Sequence, residues 1–190
     1  MLPGRSSERP RSRVPPDRPA AKRPAQGTPR TTRPRVYVET TIPNFYYETR
    51  TQPELVARRE WTREWWSDAR QRYELITSLT VFEELAAGTR MPLVELRTAL
   101  LSGLPLLLPH PPVPAIVETY LQHKLMPARP TPADAMHLAL ASQNRCDFIV
   151  TWNCRHLANP RKATHIRKIN SALGLQVPEL VTPQDLLRRR

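Results

Sequence analysis

Five short runs of β-branched, aromatic and aliphatic residues alternate along the chain with segments whose apolar residues recur at helical spacing. Runs of this length and composition are typical of buried strands. The predicted strands are residues 35–39, 74–77, 104–108, 147–151 and 175–181. Alternating strands and helices favour a mostly parallel sheet that is covered by helices on both faces. The sequence therefore predicts a three-layer α/β/α domain with about five strands.

The segments between these runs predict the helices. Thr80 and Glu83 fit a capping box, so Thr80 is expected to cap a helix that ends at Gly88. Residues 40–44, directly after the first strand, are predicted to form a loop. The other predicted helices are residues 53–72, 93–101, 113–125, 132–144 and 161–173, with a last short helix that opens at Pro183.

Residues 1–34 differ in composition from the rest of the chain. They hold nine of the 29 Lys and Arg, eight of the 22 prolines and only two acids, and Leu2 and Val14 are their only large aliphatic side chains besides Met1. Such a segment cannot bury enough apolar surface to offset the entropy of ordering. We expect a disordered basic tail over 1–34 and a domain over 35–190. The tail could be an inert extension, an arm that contacts nucleic acid, or a transit peptide. A transit peptide needs an amphipathic helix, which the eight prolines disfavour.

The remaining 156 residues are only moderately basic, with 20 Lys and Arg against 15 Asp and Glu. The sequence has no run of 18 apolar residues and no apolar core near its start, so neither a membrane span nor a secretory leader is expected. Two cysteines, Cys146 and Cys154, are too few for a disulfide framework, which favours a reducing compartment. We therefore expect a cytoplasmic protein.

Four polar side chains follow predicted strands or open predicted helices at what should be the same edge of the sheet. They are Glu39, Glu84, Asp134 and Asn153. In parallel α/β sheets this edge forms the ligand crevice. Three converging carboxylates repel one another unless a cation neutralises them, and oxygen ligands suit Mg²⁺ or Mn²⁺. Without metal, at least one of these carboxylates should have a raised pKa. A cation held there could bind a phosphate oxygen and activate a water.

Each of these residues alone has an ordinary structural explanation, as a strand-end charge, an acid in the first turn of a helix or a turn residue. In combination they carry a resemblance. The segments VYVETTIP (36–43), TSLTVFEELAAG (77–88), ADAMHLALA (133–141) and FIVTWN (148–153) occur in that order. Over about residues 35–186 the chain resembles the PIN domain, the nuclease fold of VapC-like toxins of toxin–antitoxin modules.

The resemblance implies an endoribonuclease that depends on Mg²⁺ or Mn²⁺. The family's second acid lies six residues after a Ser and four before a Gly, which selects Glu84 rather than Glu83. The implied catalytic set is Glu39, Glu84, Asp134 and Asn153, with the first three as metal ligands. Implied partners are RNA, a cognate antitoxin and a second copy of the chain in a homodimer.

Four further residues are candidates for substrate binding. Thr40 and Thr151 fit hydroxyl positions that usually lie beside the acids in the family. Arg155 and His156 follow Asn153 in a loop at the crevice and could hold a substrate phosphate. They could equally form a solvated basic loop.

Two departures from the family pattern bear on activity. Glu39 stands where the family usually has Asp, and Asn153 stands where it often has Asp. With three carboxylates, one tightly bound ion is expected, and catalysis could be slow or lost. The sequence resembles a PIN subgroup that combines the Glu-Thr-Thr-Ile-Pro and Thr-Trp-Asn-Cys motifs, in which both changes are lineage features.

Two other classes of protein stay open at this point. One is a PIN-like module that binds RNA or protein without cutting, and the other is an unrelated α/β domain whose acids are scattered. A zinc site is disfavoured, because the spacing of Cys146, Cys154, His156 and His165 matches no usual pattern of paired ligands. His137 is interpreted as a core histidine, with a hydrogen bond inside the site as the alternative. Tryptophans 61, 65 and 66 are expected to pack in the core or at an interface, whereas Tyr46 and Tyr47 are better placed to stack on bases.

Overall fold

Strand β1, Arg35–Val38, is the central strand of the sheet, and its residues Val36, Tyr37 and Val38 are wholly buried. β-Branched and aromatic side chains suit such a position, because a parallel sheet is covered on both faces and offers no solvent-facing side. Full burial of an apolar side chain of this size contributes about 1.5–3 kcal/mol. β1 is therefore both the first strand and the core around which the site is built.

The computed structural model describes residues 33–88, 91–126 and 132–189, which all belong to one unit, Thr31–Arg190. Residues 1–32 of the predicted tail lie outside the described residues. Arg33 and Pro34 are described, and the Pro34 carbonyl accepts a hydrogen bond of 3.0 Å from the Glu74 amide. The strands after β1 are β2 (Glu74–Ser78), β3 (Leu106–Leu107), β4 (Phe148–Val150) and β5 (Glu179–Val181).

Within the described residues the five strands form one parallel sheet in the order β3-β2-β1-β4-β5. The register sets Tyr37 of β1 opposite Ile76 of β2 and Ile149 of β4. All five strands consequently end at the same edge of the sheet. The mostly parallel, five-stranded α/β fold expected from the sequence is confirmed.

Eight α-helices of the described residues surround the sheet. α2 packs against α1 and α8, and α5 packs against α6, in keeping with a three-layer arrangement. The helices are α1 (Thr41–Tyr46), α2 (Pro53–Arg72), α3 (Leu79–Ala86), α4 (Met91–Leu100), α5 (Val113–Gln122), α6 (Ala133–Gln143), α7 (Ala163–Ala172) and α8 (Pro183–Leu187), with a 3₁₀ helix over Pro160–Lys162.

Two local predictions are wrong. The expected loop over 40–44 is helix α1 instead, and its first amide, that of Thr41, is bonded by the Glu39 side chain at 3.0 Å. Helix α3 begins at Leu79. A helix capped by Thr80 would have begun two residues later, at Val81. The cap of α3 is Ser78, whose hydroxyl accepts from the Val81 amide.

The outer strands β3 and β5 are shorter than predicted. Pro105 has no N–H to donate to a ladder, so only Leu106 and Leu107 pair with β2. Before β5, the Gln176 carbonyl accepts from the Asn170 side chain at 2.8 Å and takes no part in the sheet. Both are short edge strands, a common way of limiting edge-to-edge association.

Of the helices described, none combines the length and the apolar character that crossing a membrane requires.

Candidate metal centre

The carboxyl ends of β1, β2 and β4 place the predicted site residues at one edge of the sheet. Glu39 directly follows β1, Glu84 lies on the helix that leaves β2, and Asn153 follows β4. The first turn of α6 adds Asp134 to this edge. The structure therefore brings all four predicted residues to one edge of the sheet.

Glu39 is buried, with only 4 % of its surface exposed. Its Oε2 accepts hydrogen bonds from the Thr41 amide at 3.0 Å, from the Thr41 hydroxyl at 2.5 Å and from the Thr151 hydroxyl at 2.7 Å. No hydrogen bond from another described residue ends on Oε1. One carboxylate oxygen is thus fixed by the protein while the other is available to a ligand.

Glu84 has the same arrangement and is half-buried. Its Oε2 accepts a short hydrogen bond from the Thr40 hydroxyl and is 2.9 Å from Nε2 of His137. The hydrogen bonds that Glu84 receives from described side chains all end on Oε2, so Oε1 is left for a ligand. Thr40 and His137 together hold this carboxylate in one orientation.

His137 is wholly buried and is bonded on both sides of its ring. Its Nδ1 is 2.7 Å from the hydroxyl of Tyr37, which in turn is 2.6 Å from the hydroxyl of Ser78. Each hydroxyl can donate or accept, so this pair accommodates either tautomer of the imidazole. His137 can therefore donate from Nε2 to Glu84 or present a lone pair there to a cation.

Glu39, Glu84 and His137 each offer one ligand atom, and these atoms all lie within 4.8 Å of one another. This buried cluster could hold a metal ion. Two carboxylate oxygens and one imidazole nitrogen suit divalent cations such as Mn²⁺ and Zn²⁺, whereas carboxylates alone suit Mg²⁺ as well. His137 would have to be neutral to act as a ligand.

Asp134 lies beside this cluster rather than in it. Its Oδ1 accepts a hydrogen bond of 2.8 Å from Nδ2 of Asn153, and Oδ1 of Asn153 accepts from the His156 amide at 3.1 Å. Both polar atoms of the Asn153 side chain are thus engaged by the protein. Asn153 orients Asp134, whose Oδ2 takes no hydrogen bond from the described residues.

Burial is the main influence on two of the acids. It raises the pKa of Glu39, and the positive charge of His137 and the threonine hydrogen bonds oppose that rise only in part. Burial also raises the pKa of Asp134; the charges of His156 and His137 lower it, and the negative charge of Glu84 adds to the rise. The expectation of at least one raised pKa holds, but desolvation contributes more to it than repulsion between the acids.

Glu84 and His137 shift in opposite directions. Burial acts to raise the pKa of Glu84, but the hydrogen bond and charge of His137 outweigh it, and the pKa lies below its ordinary value. Burial acts to lower the pKa of His137, but the Glu84 hydrogen bond and the charge of Glu39 outweigh it, and that pKa is raised. In the absence of metal the pair therefore favours a protonated His137 and an ionised Glu84. The proton on His137 then balances the negative charge of the carboxylates, as a bound cation would.

The four predicted substrate-binding residues divide into two groups. The hydroxyls of Thr40 and Thr151 are used to hold Glu84 and Glu39. Arg155 is exposed and His156 half-buried in the loop after Asn153, and His156 is close enough for its charge to act on the pKa of Asp134.

Sequence reasoning missed the support beneath the site. Tyr37 and Thr41 are absent from the predicted site. His137 is buried, as expected of a core histidine, and it also makes the hydrogen bond inside the site that was the alternative, with Nε2 2.9 Å from Glu84. That alternative rests on spacing, because His137 lies three residues after Asp134, one helical turn along the same face.

The aromatic side chains and the cysteines for which other roles were considered lie in the following places. Trp65 is in the core and Trp61 stacks on Trp152, with ring centroids 6.1 Å apart, so packing is confirmed. Tyr46 and Tyr47 contact each other edge to face. Cys146 is buried and Cys154 exposed, and among the described residues neither belongs to a group that could hold a metal.

Neither a protein-family model nor a curated protein sequence matches this chain.

Proposed function

We propose that the protein is an endoribonuclease that uses Mg²⁺ or Mn²⁺ bound by Glu39, Glu84 and Asp134. The observation that carries this proposal is a pattern shared by the three carboxylates. In each one, the hydrogen bonds received from described side chains end on a single oxygen, and the second oxygen is left for a ligand. Two of these carboxylates, Glu39 and Glu84, also lie with His137 in a cluster whose ligand atoms are all within 4.8 Å of one another, which supports a role in metal binding.

The chain's own residues have distinct roles in this proposal. Thr40 and His137 orient Glu84, Thr41 and Thr151 orient Glu39, and Asn153 orients Asp134. Carboxylates held by hydrogen bonds in this way are characteristic of metal sites, since the supporting partners fix the ligand geometry. When bound, a divalent ion would supply electrostatic stabilisation of the charge that develops on a phosphodiester during hydrolysis.

The choice of RNA as substrate, the toxin role in a toxin–antitoxin module, and the antitoxin and homodimer as partners rest on the resemblance to PIN domains. A basic domain around a recessed acidic site is compatible with an RNA substrate, since basic residues bind the backbone while a cation offsets the acids.

The test is cleavage of a labelled mixed RNA pool by the full chain with Mn²⁺, and again with EDTA. Glu84→Gln and Asp134→Asn should each reduce cleavage at least about a hundredfold, the range of effect of a single group that acts on the transition state. Glu95→Gln, which removes the same charge from an exposed position on α4, is the matched control and should cleave normally. Cleavage that persists in EDTA, or that Asp134→Asn leaves unchanged, would contradict the proposal.

One observation favours a second candidate, a module that binds RNA or protein without cutting it. Asn153 replaces a carboxylate, and both polar atoms of its side chain are engaged by the protein, so that position supplies no ligand. This candidate predicts that Mn²⁺ stabilises the fold while no RNA in the pool is cut.

A further inference from the structure

The positive charge of residues 35–190 is concentrated in one stretch. Between Asp147 and Glu179 the sequence has five Lys and Arg, two His and no acid. In residues 35–190, Lys and Arg outnumber Asp and Glu by 20 to 15. Outside this stretch there are therefore 15 basic and 15 acidic residues, which balance. The whole excess of the domain therefore lies between β4 and β5.

This stretch starts at the candidate metal centre. Its first basic residues, Arg155 and His156, follow Asn153, and it continues through the 3₁₀ helix into α7. The His156 amide donates to Oδ1 of Asn153 at 3.1 Å, and Nδ2 of the same Asn153 donates to Asp134 at 2.8 Å, so the stretch is joined directly to the site. Lys162 is held in place, because its Nζ donates to the Leu125 carbonyl at 2.9 Å.

The basic side chains of this stretch face outward. Helix α7 buries Ile166 and Ile169 and exposes its charged residues on the other side. The exposed basic residues, which we call the α7 surface, are Arg155, Arg161, His165, Arg167 and Lys168. Within the described residues none of them forms an ion pair.

Basic residues elsewhere in the domain are commonly paired. Arg35 contacts Glu74, Arg50 contacts Glu48 and Arg189 contacts Glu179. A paired arginine is already neutralised, whereas an unpaired one gains by releasing the counterions of a polyanion. The contrast marks the α7 surface as the part of the described domain best suited to bind phosphates.

Shallow grooves flank α7 on both sides. One of about 380 Å³ is lined by Asn159, Pro160 and Arg167 among others. The other, of about 250 Å³, includes His123, His165 and Lys168. From residue 163 to residue 168 the chain rises about 7.5 Å along α7, and Arg155 and Arg161 precede the helix, so the surface is long enough to contact more than one phosphate.

We propose that the α7 surface binds the backbone of single-stranded RNA on one side of the bond that is cut. This inference rests on the proposed function, because it takes RNA as the substrate. A single strand fits better than a duplex, since Glu39 is only 4 % exposed and a backbone must enter the recess to reach it. The α7 surface then continues the path of the strand beyond the metal centre.

The test measures binding rather than cleavage. The full chain is titrated against fluorescently labelled single-stranded RNA in EDTA at several salt concentrations. The triple variant Arg161→Gln, Arg167→Gln, Lys168→Gln should lower the slope of log affinity against log salt by about 2, since each single-strand phosphate contact contributes about 0.7. The residues are exposed, and an unchanged melting temperature checks that the fold is intact.

The matched control is the triple variant Arg63→Gln, Arg145→Gln, Arg188→Gln, which removes the same charge from exposed arginines outside the α7 surface that likewise form no ion pair within the described residues. Residues 1–34 are identical in all three proteins, so they contribute equally to each slope. A slope that falls only in the α7 variant supports the proposal. Equal slopes in the two variants, or an α7 surface that binds anionic vesicles or polyglutamate but not RNA, would overturn it.

Because binding is measured in EDTA, a failure of the proposed hydrolysis leaves this test intact. A protein that binds RNA through the α7 surface but does not cut it would contradict the nuclease proposal alone. If the protein does cut RNA, the α7 variant should raise KM for long RNA and leave cleavage of a dinucleotide unchanged.

Discussion

The hydroxyl of Tyr37 lies 2.7 Å from Nδ1 of His137, so a residue of the central strand fixes the ring of a histidine 100 positions later in the chain. Nε2 of the same ring lies 2.9 Å from Glu84. Through this connection, a side chain of the central strand that is not itself a candidate ligand holds the orientation of one.

Tyr37→Phe should weaken both the fold and the metal centre. The substitution leaves Nδ1 of His137 and the Ser78 hydroxyl without their partner, which costs about 1–3 kcal/mol of unfolding free energy. Urea denaturation measures this loss, and titration with Mn²⁺ should show an affinity reduced several-fold.

Tyr120→Phe is the control for that variant. Tyr120 is equally buried and donates to Asn170 at 2.6 Å, outside the site. A similar loss of stability with unchanged Mn²⁺ affinity is expected. If the two variants lose metal affinity equally, the effect is general destabilisation and Tyr37 has no positioning role.

The identity of the third ligand can be tested with two variants. If Asp134 completes an oxygen site with Glu39 and Glu84, Asp134→Asn abolishes the rise in melting temperature that millimolar Mg²⁺ or Mn²⁺ produces by linkage. His137→Gln, which keeps a hydrogen-bond donor toward Glu84, should retain most of that rise. The reverse result, with His137→Gln losing the response, would make the imidazole the ligand.

Glu39→Asp should impair the site although it restores the residue more usual in PIN domains. A shorter side chain cannot keep its bonds to Thr41 and Thr151 and also reach a cation, so two hydroxyls lose their acceptor. We expect Mn²⁺ affinity to fall about tenfold and stability by about 1–2 kcal/mol. Glu95→Asp, at an exposed position on α4, is the control for replacing a glutamate by the shorter aspartate. An increase in metal affinity would contradict this interpretation.

The Glu84–His137 pair predicts a pH window for stability in EDTA. Because the pKa of Glu84 is depressed, its contribution is present above the ordinary value of 4.5 and is lost as pH falls through the folded value. Because the pKa of His137 is raised, its contribution is complete below 6.5 and is lost as pH rises through the folded value.

The difference in unfolding free energy between the native chain and His137→Gln should therefore be largest between about pH 4.5 and 6.5 and smaller on both sides. Urea denaturation at a series of pH values measures it. A difference that is constant from pH 4 to 9 would mean that the pair is not charged.

The strands and the longer helices could be predicted because local patterns decide them. The apolar run of β1 and the proline at the start of α2 are signals that tertiary contacts do not override. Helix α1 could not be predicted from a local capping pattern. Its first amide, that of Thr41, donates instead to the side chain of Glu39, which is also an acid of the site. The cap of α3 was misplaced because the strand passes directly into the helix at Ser78.

The positions of the acids could be predicted from the rule that parallel strands end at one edge of the sheet. The residues that hold the acids in place, such as Tyr37 and His137, could not be predicted from that rule. The bond between Tyr37 and His137 depends on the register of β1 and on the angle of α6, and neither is encoded by spacing in the sequence. His137 lies within an apolar helix, where a core histidine is the commoner outcome.

The position of β1 between β2 and β4 has a consequence for synthesis of the protein. Glu39 is bonded to Thr151, 112 residues further along, and β4 must pair with β1 before that bond can form. Contacts so distant in sequence form late, since a long loop must close first. A chain emerging from the ribosome therefore carries no assembled carboxylate site until its last third has been made, and a nuclease built in this way would stay harmless to the message from which it is being translated.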